Sequence, residues 1–81
     1  MQRREIFEII KSNVIKVLPD IHPDLITIDK KLKELGANSV DRVEVVQYTM
    51  EDLNLIIPRI ELGKANNLCD LTEIFYNHLN R

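Results

Sequence analysis

Ile6, Ile9, Ile10, Val14, Val17 and Leu18 recur at steps of three and four residues, with arginine, glutamate, lysine and asparagine between them. That spacing gathers the apolar groups on one face and predicts an amphipathic helix over residues 3–18. Pro19 stops it, because proline has no amide hydrogen for the next helical bond. The constraint is strong because the chain is short. Its 81 residues allow one small domain. A helix with one apolar stripe must bury it against other elements of the same chain.

The later segments repeat the helical pattern. Residues 19–38 form a long connection containing Pro19, Pro23 and Gly36, and a loop of that length in a small domain is often functional. Ile21, Leu25, Ile26, Ile28, Leu32 and Leu35 are expected to pack from it across a bundle, with a short helical turn over Asp29 to Leu35. Ser39 is read as the residue that starts the next helix, its oxygen accepting a free first-turn amide, and Asp41 suits the positive end of the helix dipole. Val40, Val43, Val46, Met50 and Leu53 are expected to form its apolar stripe. The valines lower helix propensity, but the spacing persists over about four turns and favours helix over strand. Pro58 to Leu62 before Gly63 reads as one short helical turn. Asp70-Leu71-Thr72-Glu73 reads as a capping box, opening a last helix with Leu71, Ile74, Phe75 and Leu79 inward. The expected architecture is all-α: a small four-helix bundle of three main helices, one short helix and a long first loop, in a single domain over 1–81.

Charge narrows the function. The chain has 11 basic and 13 acidic residues, net −2, where a nucleic-acid binder of this size would carry a basic stripe. Residues 39–62 hold Asp41, Glu44, Glu51, Asp52 and Glu61 against Arg42 and Arg59, and such a region attracts basic protein surfaces. No run is long enough to span a bilayer, and the first residues lack the apolar stretch of a signal peptide. A single cysteine, Cys69, excludes an intrachain disulfide and fits a reducing compartment. A cytoplasmic monomer without nucleic-acid or membrane partners is expected.

Catalytic signatures are missing. Gly36 and Gly63 are the only glycines, too few for a P-loop or a dinucleotide fingerprint. His22, His78 and Cys69 lack metal-ligand spacing; they read as a surface histidine, a partly packed histidine and a buried cysteine. Nothing supports a Ser-His-Asp triad, and Glu51 and Asp52 read as surface charge. No catalytic residue and no metal ligand is expected.

The informative segment is Leu35-Gly36-Ala37-Asn38-Ser39-Val40-Asp41: a flexible glycine, a short polar residue and a serine at the start of an acidic amphipathic helix. With no base beside it, such a hydroxyl is a poor nucleophile and is better placed to be modified. The segment resembles the acyl carrier protein motif, usually Leu-Gly-x-Asp-Ser-Leu or Leu-Gly-x-Asp-Ser-Ile, and nearly the whole chain follows the family's order of elements. The resemblance implies that Ser39 carries 4′-phosphopantetheine, attached by a phosphopantetheinyl transferase from coenzyme A. It also implies a partner-recognition face of Val40, Asp41, Arg42, Glu44, Gln47, Met50 and Glu51. Asn38 stands where the family usually has aspartate; it keeps the shape and capping ability and loses a charge.

A narrower resemblance comes from Gly36 to Glu44, Met50-Glu51-Asp52-Leu53 and Ile57-Pro58-Arg59-Ile60-Glu61-Leu62. These look like the free-standing donor carriers of polyketide β-branching cassettes. The implied partners are an acyltransferase, a ketosynthase-like decarboxylase and a hydroxymethylglutaryl-CoA-synthase-like enzyme, and the implied cargo is malonyl or acetyl. Two other readings stay open. One is a fatty-acid-type carrier, or a peptidyl or D-alanyl carrier. The other is an unmodified helical interaction module in which Ser39 only caps a helix and Val45 or Tyr48 contacts a permanent partner.

Overall fold

The computed structural model describes residues 1–80. Among them the order is α1 (Arg3–Val17), a 3₁₀ turn (Pro23–Leu25), α2 (Ser39–Leu53), α3 (Arg59–Leu62) and α4 (Leu68–Leu79), with no strand. α1 ends where proline requires: the Leu18 amide closes on Val14 O at 2.8 Å, and Pro19 follows. Three long helices, one short helix and a long first loop are the bundle expected from the periodicity.

The core lies between α1, α2 and α4. Ile6, Ile10 and Val14 of α1 meet Val45 and Leu53 of α2 and Leu68, Leu71 and Phe75 of α4, with Ile26 and Ile57 added from loops. α1 packs on both α2 and α4, and α3 lies against α4 without a wholly buried residue of its own. One polar contact sets the register of α1 on α2. Asn13, buried in α1, donates from Nδ2 to Thr49 Oγ1 and to Asp52 Oδ2, both at 3.0 Å, and the Thr49 hydroxyl donates to Val45 O at 2.8 Å. Among the described residues no buried side-chain nitrogen or oxygen lacks a partner, as buried polar groups require.

Several expectations need correction. The inward residues of α2 are Val45, Thr49 and Leu53, a four-residue step. Val40 and Val43 are 63% and 51% exposed. Nearly every turn of α2 offers an apolar side chain on more than one face, so periodicity did not single out the buried one. Thr49 can sit in the core because its hydroxyl is fully bonded. In the first loop Ile26 and Ala37 are buried and Ile21, Leu32 and Leu35 pack half-buried against the core as expected, whereas Leu25 and Ile28 face solvent. The helical turn expected over Asp29 to Leu35 survives only as one helical bond within a run of turns: Leu35 N meets Lys31 O at 3.3 Å and Leu32 O at 3.1 Å, and Gly36 N meets Lys33 O at 3.1 Å.

Two helix caps also differ, although α2 starts at Ser39 as expected. Asn38, not Ser39, caps α2, and Asn67, not Asp70, caps α4 through a 2.8 Å bond from the Asp70 amide to Asn67 Oδ1. α4 begins early because the first loop supplies acceptors for its opening amides. Leu68 N donates to Lys30 O at 2.9 Å and Cys69 N to Ile28 O at 2.7 Å. Cys69 is exposed rather than buried, since Leu68, Leu71, Thr72 and Phe75 take the inward face of α4. His22 is exposed and His78 half-buried, its Nε2 2.7 Å from Glu61 Oε1 across the α3–α4 junction.

Candidate functional site

Ser39 sits at the first helical position of α2 and is exposed. The local sequence holds it there by three devices. Gly36 has φ +94°, a left-handed conformation that turns the chain back before the helix. Ala37, buried, is clamped from both sides: its amide donates to Leu32 O at 3.1 Å, and its carbonyl accepts from Arg42 Nη1 at 3.0 Å. Asn38 then forms a reciprocal cap. Its Oδ1 accepts the Asp41 amide at 2.8 Å, and its own amide donates to Asp41 Oδ2 at 3.0 Å.

The consequence is a division of labour. A serine at the cap position would spend its oxygen on the first turn. Here Asn38 takes that duty, and among the described residues no group bonds the Ser39 hydroxyl. The amides of Ser39 and Val40, the first two of α2, also have no carbonyl partner. A helix start with open amides favours a phosphate, so the site fits a phosphodiester on Ser39 Oγ.

A cleft of about 560 Å³ opens beside the serine, between the first loop, α2, α3 and the start of α4. Val46, Met50, Leu62, Leu68 and Leu71 line it, giving an apolar surface of ordinary ligand-pocket size. Met50 is pinned at its edge, its Sδ accepting the Ile57 amide at 3.4 Å.

The other residues expected to serve the site fall into two groups. Glu44, Gln47 and Glu51 are exposed on α2, as is Val40, and Gln47 Nε2 donates to Glu51 Oε1 at 3.4 Å. Asp41, Arg42 and Met50 are half-buried and hold the site's own backbone, as the cap, the Ala37 strap and the cleft edge. Val45, assigned to a partner contact in the interaction-module reading, is completely buried. Tyr48 is half-buried beneath Lys16, whose Nζ lies 4.1 Å from the ring centroid.

The sequence reading passed over Ile56 and named Ile60 only within the segment Ile57 to Leu62; they are 95% and 83% exposed, before and within α3. Their signal was present. In Ile56-Ile57-Pro58 only one isoleucine can turn inward from a short connection, and Ile57 does so.

Among the described residues no cluster of histidine, cysteine, aspartate and glutamate could hold a metal ion, and no helix is long and apolar enough to cross a membrane.

Comparison with known proteins gives the family and the fold. No family model matches the chain. The Bacillus subtilis (strain 168) protein named polyketide biosynthesis acyl-carrier-protein AcpK is 42% identical over 77 residues, covering 95% of this chain and 94% of its own. An acyl carrier protein of Campylobacter hominis is 34% identical over 74 residues, covering 90% and 92%. Among solved structures, a chain from the crystal structure of the curacin biosynthetic pathway HMG synthase in complex with acetyl donor-ACP superposes with a TM-score of 0.84. It is 37% identical, covering 93% of this chain and 96% of that one. With relatives this similar over nearly its whole length, the chain belongs to the acyl carrier proteins.

Proposed function

We propose that the chain is a single carrier domain whose Ser39 bears 4′-phosphopantetheine, and that it serves as the donor carrier of a polyketide β-branching system. The observation that carries the first part is the bare Ser39 hydroxyl at a helix start whose capping is done by Asn38. Likeness to a polyketide acyl carrier and to a chain crystallised with an HMG synthase supports the second. The bound arm supplies a thiol that holds an acyl group as a thioester. The protein's own residues perform the rest.

Asn38, Gly36 and Arg42 keep Ser39 outward, where a transferase can reach it. The open amides of Ser39 and Val40 face the phosphodiester. Glu44 and Glu51, with Val40 and Val43 beside them, present an acidic face with apolar points to basic partner surfaces, and Ile56 and Ile60 add exposed apolar points before and within α3. Exposed charge pairs are each worth about 0–1 kcal/mol, which suits docking that must be fast and reversible. The partners are those of a malonyl-loading, decarboxylating and acetyl-donating sequence: an acyltransferase, a ketosynthase-like decarboxylase and a hydroxymethylglutaryl-CoA-synthase-like enzyme.

The test begins with intact mass after incubation with coenzyme A, magnesium and a broad-specificity transferase. A gain of one phosphopantetheine that vanishes in Ser39→Ala supports the carrier; no gain with several transferases refutes it. The acetyl-loaded form is then compared with a fatty-acid carrier as donor to the synthase-like enzyme, and equal rates would remove the β-branching assignment.

A further inference from the structure

The cleft beside Ser39 carries a charge opposite to that of the chain. Lys31 and Lys33 of the first loop, Arg42 of α2 and Arg59 of α3 all line it, and no aspartate or glutamate among the described residues does. In a chain of 13 acidic and 11 basic residues, a lining drawn at random would carry both signs. Three separate segments instead bring cations to one cavity whose floor is Val46, Met50, Leu62, Leu68 and Leu71. A hydrocarbon group needs only the floor. A rim of one sign, set against low-dielectric walls, concentrates the opposite charge.

The rim is available. Lys31, Lys33 and Arg59 are exposed, and none of their side-chain cations pairs with a carboxylate among the described residues, while the Lys31 backbone amide donates to Glu34 Oε1 at 2.8 Å. Arg42 gives one N–H to Ala37 O, leaving the rest of its five donors. Two anions of the loaded carrier share the chemistry that such a rim recognises: the phosphodiester and a carboxylate on the acyl group. The phosphodiester has donors of its own in the Ser39 and Val40 amides. The cations from the loop and α3 are left for a second anion.

We infer that the cleft is a subsite for a tethered acyl group ending in a carboxylate, a 1,3-dicarboxylic half-thioester such as malonyl, with Lys31, Lys33 and Arg59 receiving the carboxylate and the apolar floor receiving the carbons. This rests on the carrier reading of Ser39 and adds the residues by which the protein itself would tell the malonyl from the acetyl form. The subsite favours the malonyl over the acetyl form, because the acetyl group has no anion to offer the rim. Decarboxylation would then release the cargo from the cleft as well as alter it.

The experiment compares the chain carrying the bare arm, the acetyl arm and the malonyl arm at pH 7, by methyl NMR of Met50, Val46 and Leu62. At low salt the malonyl form displaces these signals several-fold more than the acetyl form. The excess falls as salt approaches about 1 M, where the screening length is about 3 Å. Lys31→Gln/Lys33→Gln/Arg59→Gln abolishes the excess, and the Lys31→Arg/Lys33→Arg variant keeps it. Equal displacement by acetyl and malonyl, or an excess untouched by the triple variant, overturns the inference. So does displacement complete with the bare arm, which would assign the rim to the phosphodiester. If Ser39 does not accept the arm at all, the carrier reading itself falls; if it accepts the arm and the methyl signals of the acetyl and malonyl forms coincide, only the subsite falls.

Discussion

Replacing Gly36 with alanine isolates the cost of presenting Ser39. The glycine has φ +94°, and an ideal Cβ built there meets no atom within 4 Å. Sterics with the rest of the protein therefore contribute nothing, and the whole cost is conformational. A left-handed backbone costs an L-residue about 1–2 kcal/mol. A domain of 81 residues has a total stability of about 4–12 kcal/mol at typical per-residue values, so Gly36→Ala should fold and be measurably weaker. In melting temperature the loss is about 4–16 °C, at roughly 4–8 °C per kcal/mol for a domain of this size. Urea and thermal unfolding of the unmodified chain read it. Gly36→Asn should recover part of the loss, because asparagine tolerates positive φ. Gly63→Ala is the control: Gly63 has φ −66°, its added Cβ would lie 3.3 Å from Arg59 O, and the expected change is within about 1 kcal/mol. A Gly36→Ala protein as stable as the parent, or a Gly36→Asn protein no better than Gly36→Ala, refutes the reasoning.

Asn38→Ala should cost about 1 kcal/mol through loss of the cap, Asn38→Asp should keep most of it, and Ser39→Ala should stay within about 0.5 kcal/mol, all by urea unfolding. Ile56→Ser with Ile60→Ser should leave unfolding within about 0.5 kcal/mol, because both side chains are exposed; it should weaken binding to the synthase-like partner, read by titration calorimetry. The Thr27 hydroxyl donates to Asp29 Oδ1 at 2.5 Å and holds that carboxyl below the ordinary aspartate value of 3.8, with the Asp29 backbone bond and Lys30 adding to it. The sign follows: this contribution to stability is complete above the unfolded pKa and is lost as pH falls through the lower folded one. Thr27→Val should raise the Asp29 midpoint toward 3.8, followed by carboxyl NMR.

The legible parts of the fold were those set locally. α1 was readable to within one residue, 3–18 against Arg3–Val17, because one stripe and one proline define it, and the start of α2 at Ser39 was readable from the segment Gly36 to Asp41. The parts that were not legible depend on contacts between distant segments. α4 starts at Leu68 because Ile28 and Lys30, some forty residues earlier, accept its first amides. Asp70 was a competent cap by composition and lost that place to Asn67 for this reason. The inward face of α2 was hidden because valines occupy several faces, and the deciding residue, Thr49, is polar and enters the core with its hydroxyl bonded to Val45 O and to Asn13 of α1. The cationic rim is invisible in sequence, since Lys31, Lys33, Arg42 and Arg59 share no motif and meet only in space.

The position of the serine relative to its cap links the fold to the function. Had Ser39 been the cap residue, its oxygen would have accepted a first-turn amide, and attachment of a group would have had to compete with that bond. With Asn38 in that role, bonded to Asp41 in both directions, a group can be attached to Ser39 or removed from it without charging the helix for the change. The strap from Arg42 to Ala37 and the turn at Gly36 hold the backbone while the hydroxyl stays open. A residue needed only for stability would be tied into the network around it. Ser39 is held in place by its neighbours and, among the described residues, bonded to none of them through its side chain, which is the arrangement that the proposed attachment of a prosthetic arm at its hydroxyl requires.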